Sequence, residues 1–272
     1  MAKAGPRTSP PMPWARPCSS RRGSPTGRKR SRPGSKSTPG DIRTEDDLSM
    51  SKGHFENTVF HGAAPADAKV VCVFVHGRTQ SPADMMENVI QHLDAPSVRF
   101  VLPKSDGLAW YDVKAVDPLT DAGRSQLEAA LARLSQTISS AEAESPGAPL
   151  VLGGFSQGAC LSVEYLMRRG PWDGAACFLT GCRVGVSSDD RPVARIEGMP
   201  IYASCGDLDP WIPSANHTEM CQILIEQGAR LRTDIFPGRD HSVTQTERKA
   251  LQAMLDALVA QRPVFALQET AK

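Results

Sequence analysis

No stretch of this 272-residue chain holds the roughly 18 consecutive apolar residues that a membrane-spanning helix needs. Nor does a basic start lead into an apolar run, so the pattern of a secretory leader is absent. The seven cysteines (18, 72, 160, 177, 182, 205 and 221) are odd in number and scattered, mostly within apolar stretches. That excludes a disulfide framework and suits reduced core thiols in a cytoplasmic protein. Cys177 and Cys182 lack a second pair at zinc-site spacing, so no metal site is expected.

Acidic residues are missing from the first 40 positions, which hold ten Lys or Arg and eight prolines. With no apolar periodicity, this stretch cannot bury a core, and residues 1–49 are expected to be a disordered, dispensable tail. Three readings compete for it: a basic arm for nucleic acid or anionic lipid, an organelle transit peptide, or a start-site artefact with the protein's own beginning at Met50. "MSKGHFENTVFHG" reads like the head of a compact enzyme. The tail has a single tryptophan, Trp14, and no folded reader beside it, so no nucleic-acid partner is expected. The rest of the chain is acidic by about nine charges.

From about residue 54, strand-like and helix-like segments alternate. "VVCVFV" (70–75) is a short β-branched run of the kind buried on both faces. The same character recurs at 98–102, 149–154, 175–180, 200–205 and 231–236, while the alternating "FENTVFHG" (55–62) reads as an antiparallel edge strand. Between these runs, Leu127, Leu131, Leu134 and Ile138 share a helical face, as do Cys160, Val163 and Met167. Met220, Ile223 and Leu224 form another such face, and Leu251, Met254, Leu255 and Leu258 a fourth. The alternation predicts an α/β domain built on a mainly parallel sheet.

Sites in such sheets form at the carboxyl ends of the strands. There the chain supplies "HGRTQS", "PKSDGLAWYD", "GFSQGA", "CGDLDPWIP" and "FPGRDHSV". Gly154-Phe155-Ser156-Gln157-Gly158 is a G-x-S-x-G sequence at a strand-to-helix turn. Glycines two residues either side of the serine avoid collision with the strand and helix, and the turn lifts the hydroxyl above the sheet. Serine is a poor nucleophile without a base. His241, in a loop after the last strand, is the best of six candidates. His54 and His61 lie near the edge strand, and His92 and His217 fall in helical segments. His76 ends a strand, where it is expected to support the following loop by hydrogen bonding. Asp207 and Asp209 are both candidates for the orienting acid. Backbone N–H groups of Gln157 and Arg78 are the expected oxyanion donors, with Gly77 allowing close approach. Leu108, Trp110 and Trp211 are candidate pocket walls.

Taken together, "HGRTQSPADM", "AWYD", "GFSQGACLSVEYL", "GDLDPWIP" and "FPGRDHSV" resemble the phospholipase/carboxylesterase family of α/β-hydrolases, which includes acyl-protein thioesterases. The resemblance spans about residues 65–262 and is nearer to the bacterial carboxylesterase branch. It implies an α/β-hydrolase fold with helices flanking the sheet, as a single domain over residues 50–272. It also implies a triad of Ser156, Asp209 and His241, with Arg78 and Gln157 as backbone donors. Asp209, just before Pro210, becomes the orienting acid, and Asp207 a structural residue of the turn. The expected activity is hydrolysis of small carboxylic esters, and also thioesters, through an acyl-enzyme. No cofactor is implied. Alternatives are a non-catalytic ligand sensor on the same scaffold, or acyl transfer to an alcohol. "VKAVDPLT" (113–120) is short and polar where thioesterases of this family carry apolar cover for a long acyl chain, so short to medium chains are expected.

Overall fold

The computed structural model describes residues 58–265. The tail expected at 1–49, Cys18, His54 and the start of the expected edge strand lie outside the described residues. The strands are β1 (Val59–Gly62), β2 (Val70–Val75), β3 (Val98–Leu102), β4 (Leu150–Phe155), β5 (Gly174–Leu179), β6 (Pro200–Gly206) and β7 (Arg230–Phe236). They form one sheet in the order β1-β3-β2-β4-β5-β6-β7. Only β1 is antiparallel, pairing Val59 with Leu102, and every other pairing is parallel. The helices are α1 (Pro82–Asn88), α2 (Asp121–Glu144), α3 (Gln157–Arg169), α4 (Ser214–Glu226) and α5 (Gln245–Val259).

Strand side chains alternate between faces, so each central strand feeds two cores. Val70, Cys72, Phe74, Phe100 and Leu102 pack with α1 and α5. Val71, Val73, Val75, Leu150 and Leu152 pack with α2 and α3, and Phe178, Ile201 and Ala203 with α3 and α4. The chain runs from β2 outward to β3, then returns to place β4 on the other side of β2. This reversal opens a crevice at the carboxyl ends of β2 and β4. α2 is capped by Thr120, whose hydroxyl accepts from the Gly123 N–H at 3.1 Å. α3 stops at Gly170, whose φ of 78° suits only glycine well.

One strand departs from expectation. The run 231–236 reads as buried, yet β7 is the sheet edge and its side chains are exposed or half-buried. Arg232 and Asp234 pair along it at 3.2 Å, and such charges discourage another strand from adding there. All six described cysteines are buried and unpaired. Among the described residues, no helix is long and apolar enough to cross a membrane.

α3 carries a buried carboxylate, Glu164, that sequence patterning does not reveal. Arg183 Nε lies 2.6 Å from its Oε1 and Arg168 Nη1 2.5 Å from its Oε2, while the Val184 N–H donates to Oε1 at 3.0 Å. Burial alone would push this carboxyl up. The hydrogen bonds and charges of Arg183 and Arg168 outweigh burial and hold it below its ordinary value. Glu164→Gln strands the buried Arg183 charge and is expected to lower the unfolding free energy by about 3 kcal/mol. The carboxylate's contribution is complete above the unfolded glutamate range near ~4.3 and is lost as pH falls through the lowered folded value. Urea unfolding of both proteins at neutral and acid pH checks this. A gap below about 1 kcal/mol at neutral pH, or one that does not narrow in acid, contradicts it.

Candidate active site

The turn from β4 into α3 is tight. Ser156 sits at φ 55° and ψ −123°, outside the conformations ordinarily open to a residue with a side chain. A Cβ on Gly154 would lie 2.6 Å from the Gly158 carbonyl carbon, and one on Gly158 only 2.1 Å from the Val75 oxygen. Glycine at both positions is therefore a packing requirement. The Ser156 N–H is held by the Leu179 carbonyl at 3.0 Å, so β5 anchors the turn from the other side.

Above this turn, His241 Nε2 lies 2.9 Å from Ser156 Oγ, and His241 Nδ1 lies 2.7 Å from Asp209 Oδ2. The second oxygen of Asp209, Oδ1, accepts from the N–H groups of Trp211 at 2.8 Å and Ile212 at 2.9 Å. Burial of Asp209 raises its pKa. The hydrogen bonds from His241, Ile212 and Trp211, with the His241 charge, overcome that and leave the carboxyl below its usual range. An ionised carboxylate on Nδ1 leaves Nε2 free to take a proton from the serine hydroxyl. The Phe155 ring packs against the imidazole with centroids 4.9 Å apart.

Asp207 faces elsewhere. Its Oδ1 accepts from the Gly238 N–H at 2.7 Å, tying the loop after β6 to the loop after β7. His76 is buried, and among the described residues its ring bonds only to backbone. Its Nε2 accepts from the Ser105 N–H at 3.1 Å and its Nδ1 donates to the Gly77 carbonyl at 2.8 Å. Burial holds its pKa below the ordinary histidine value, which preserves that acceptor. His217 is also buried and packs between the Gly181 carbonyl and Thr233.

Ser156, His241, Arg78, Gln157 and Trp211 line one cleft of about 510 Å³. Among the described residues, no hydrogen bond occupies the N–H of Arg78 or of Gln157. Their side chains have work the sequence does not show. Arg78 Nη2 donates to the carbonyls of Tyr111, Asp112 and Val113 at 2.8, 2.9 and 3.2 Å. Gln157 Nε2 donates to the same Tyr111 carbonyl at 2.7 Å, and its Oε1 accepts from the Trp110 N–H at 3.0 Å.

Two of the candidate pocket walls lie away from the cleft. Trp110 is buried beside His76, to whose carbonyl its indole donates at 2.9 Å. Leu108 is 75% exposed, and its carbonyl holds the Thr79 N–H. The segment read as polar lines the cleft with Val113, Ala115 and Val116 as well as with Lys114 and Asp117, and its apolar residues also pack against the core. Tyr111 and Ile212 also line the cleft. Among the described residues, no cluster of three or more His, Cys, Asp or Glu could hold a metal ion.

The fold and this cleft define an α/β-hydrolase. The chain belongs to the Phospholipase/Carboxylesterase family, whose model matches residues 57–259. It is 26% identical to acyl-protein thioesterase 1 of Neurospora crassa over 67% of this chain and 84% of that one. Among solved structures it resembles a phospholipase/carboxylesterase from Dyadobacter fermentans, with 26% identity and a TM-score of 0.66. That likeness covers 73% of this chain and 95% of the other. The Bacillus cereus carboxylesterase shares the fold at 17% identity and a TM-score of 0.61, over 76% of this chain and 99% of its own.

Proposed function

We propose that this hydrolase cleaves carboxylic esters of short to medium acyl chain, and thioesters, through an acyl-enzyme on Ser156, within a domain spanning residues 50–272. Ser156 Oγ attacks the carbonyl carbon while His241 Nε2 takes its proton, and the imidazolium then returns that proton to the leaving alcohol or thiol. Asp209 holds the imidazole in the required tautomer. Water, deprotonated by His241, releases the acid and restores the serine. The N–H groups of Arg78 and Gln157 stabilise the oxyanion. The observation that carries this reading is the unbroken contact from Asp209 through His241 to Ser156, at 2.7 and 2.9 Å. The names of the curated relatives support thioesters as substrates. The six described cysteines, all buried and unpaired, favour a reducing, cytoplasmic setting.

The cleft volume suits a small ligand. Val113, Val116, Trp211 and Ile212 give the acyl group apolar walls, but Lys114 and Asp117 line the same cleft and offer a long chain nothing. Butyrate esters of p-nitrophenol are therefore expected to exceed palmitate esters in kcat/KM. A palmitate advantage of about tenfold, ~1.4 kcal/mol in transition-state binding, contradicts this.

The two aspartates separate the proposed roles. Asp209→Asn favours the wrong histidine tautomer and is expected to cost about 10⁴-fold in turnover. Asp207→Asn keeps an acceptor for Gly238 and should cost less than about tenfold. Turnover of both purified variants, with folding checked by circular dichroism, tests the assignment. A dead Asp207→Asn beside a near-normal Asp209→Asn reverses it.

A further inference from the structure

A second buried ion pair lies directly behind the histidine loop. Arg239, two residues before His241, has a side chain only 6% exposed, and Glu247, in the first turn of α5, is fully buried. Arg239 Nη1 reaches both Glu247 oxygens, at 3.1 and 3.2 Å, and also the Ser242 carbonyl on the far side of His241. Its Nη2 donates to Thr180 Oγ1 at 3.2 Å. Thr180 follows Leu179, whose carbonyl anchors the Ser156 backbone. The Arg239 carbonyl accepts from the Leu208 N–H at 3.1 Å, beside Asp209. One residue thus touches the histidine loop, the acid loop and the strand end that supports the serine turn. Glu247 is held in turn by the Ser204 hydroxyl on β6 at 2.5 Å and by the Thr244 N–H that caps α5 at 2.6 Å.

Burying this pair is costly, and stability alone does not explain it. A buried ion pair contributes little net free energy compared with apolar side chains of the same size. Among the described residues, the buried Arg239 Nε also finds no hydrogen-bond partner. What the planar guanidinium provides is direction: it donates at once to a carboxylate, a carbonyl and a hydroxyl on three different elements. We propose that Arg239, locked by Glu247, is a positioning residue that sets His241 at bonding distance from Ser156. The inference rests on the triad proposed above.

Three variants test it, with Ser156→Ala alongside. Arg239→Met leaves Glu247 charged and unpaired, so its melting temperature should drop. Adding Glu247→Gln removes that stranded charge and keeps an acceptor for the Thr244 N–H, so the double variant should recover most of the loss. Its kcat on p-nitrophenyl butyrate should nevertheless stay down about 10²-fold, with KM changed less than about threefold, because a misplaced base slows chemistry and not binding. Arg239→Lys retains the charge but cannot reach the Ser242 carbonyl and Thr180 together, and should lose about tenfold in kcat with little change in melting temperature. A folded double variant with kcat within about threefold of the parent overturns the proposal. Should the double variant fail to fold, an Arg239→Lys enzyme with unchanged kcat overturns it equally. An active Ser156→Ala defeats the triad itself. An inactive one beside a fully active double variant defeats only the role of Arg239.

Discussion

α3 meets the end of β2 so closely that glycine is required where they touch. Gly158 lies so near the Val75 and His76 carbonyls that no side chain fits between them. This approach holds the start of α3 against the strand that leads into Gly77 and Arg78, with Ser156 at a positive φ in the turn before it. Strain of one residue is tolerable because β2, β4 and β5 over-determine its position: each is buried, and each pairs in parallel with its neighbour. The crevice left where the strand order reverses then receives side chains from four loops.

Those loops are secured mainly by side chains gripping backbone. The carbonyl of Tyr111 accepts from the side chains of both Arg78 and Gln157, the two residues proposed to supply the oxyanion N–H groups. The wall of the cleft and the proposed oxyanion donors are therefore parts of one hydrogen-bonded unit. Asp207 links the acid loop to the histidine loop in the same manner, and the Arg239–Glu247 pair braces both from behind. Preorganisation of this kind suits a reaction whose main barrier is the charge developed on an oxyanion.

The serine turn and most of the strands can be read from the chain because their signals are local: β-branched runs and a glycine-bracketed serine. α1 escapes such a reading, since its signal is only the Ser81–Asp84 capping box ahead of seven residues. β7 misleads because Leu231, Ile235 and Phe236 look like core until the sheet is seen to end there. Trp110 misleads in the opposite direction: a large aromatic in a loop at the carboxyl ends of the strands turns inward and satisfies its indole N–H on the His76 carbonyl. The buried pairs Glu164–Arg183 and Arg239–Glu247 have no local signal at all. Their partners come from different elements, and a charged residue on an amphipathic helix ordinarily faces solvent.

The proposed mechanism requires that the hydroxyl of Ser156 becomes acylated. Rapid mixing with p-nitrophenyl butyrate, acid quenching within the first turnover and mass analysis of the intact chain and its peptides examine that directly. The chain should gain one butyryl group, located on the peptide carrying Ser156, with a matching burst of p-nitrophenol. Turnover without any acylated chain, or a butyryl group on a different residue, would contradict the proposed mechanism.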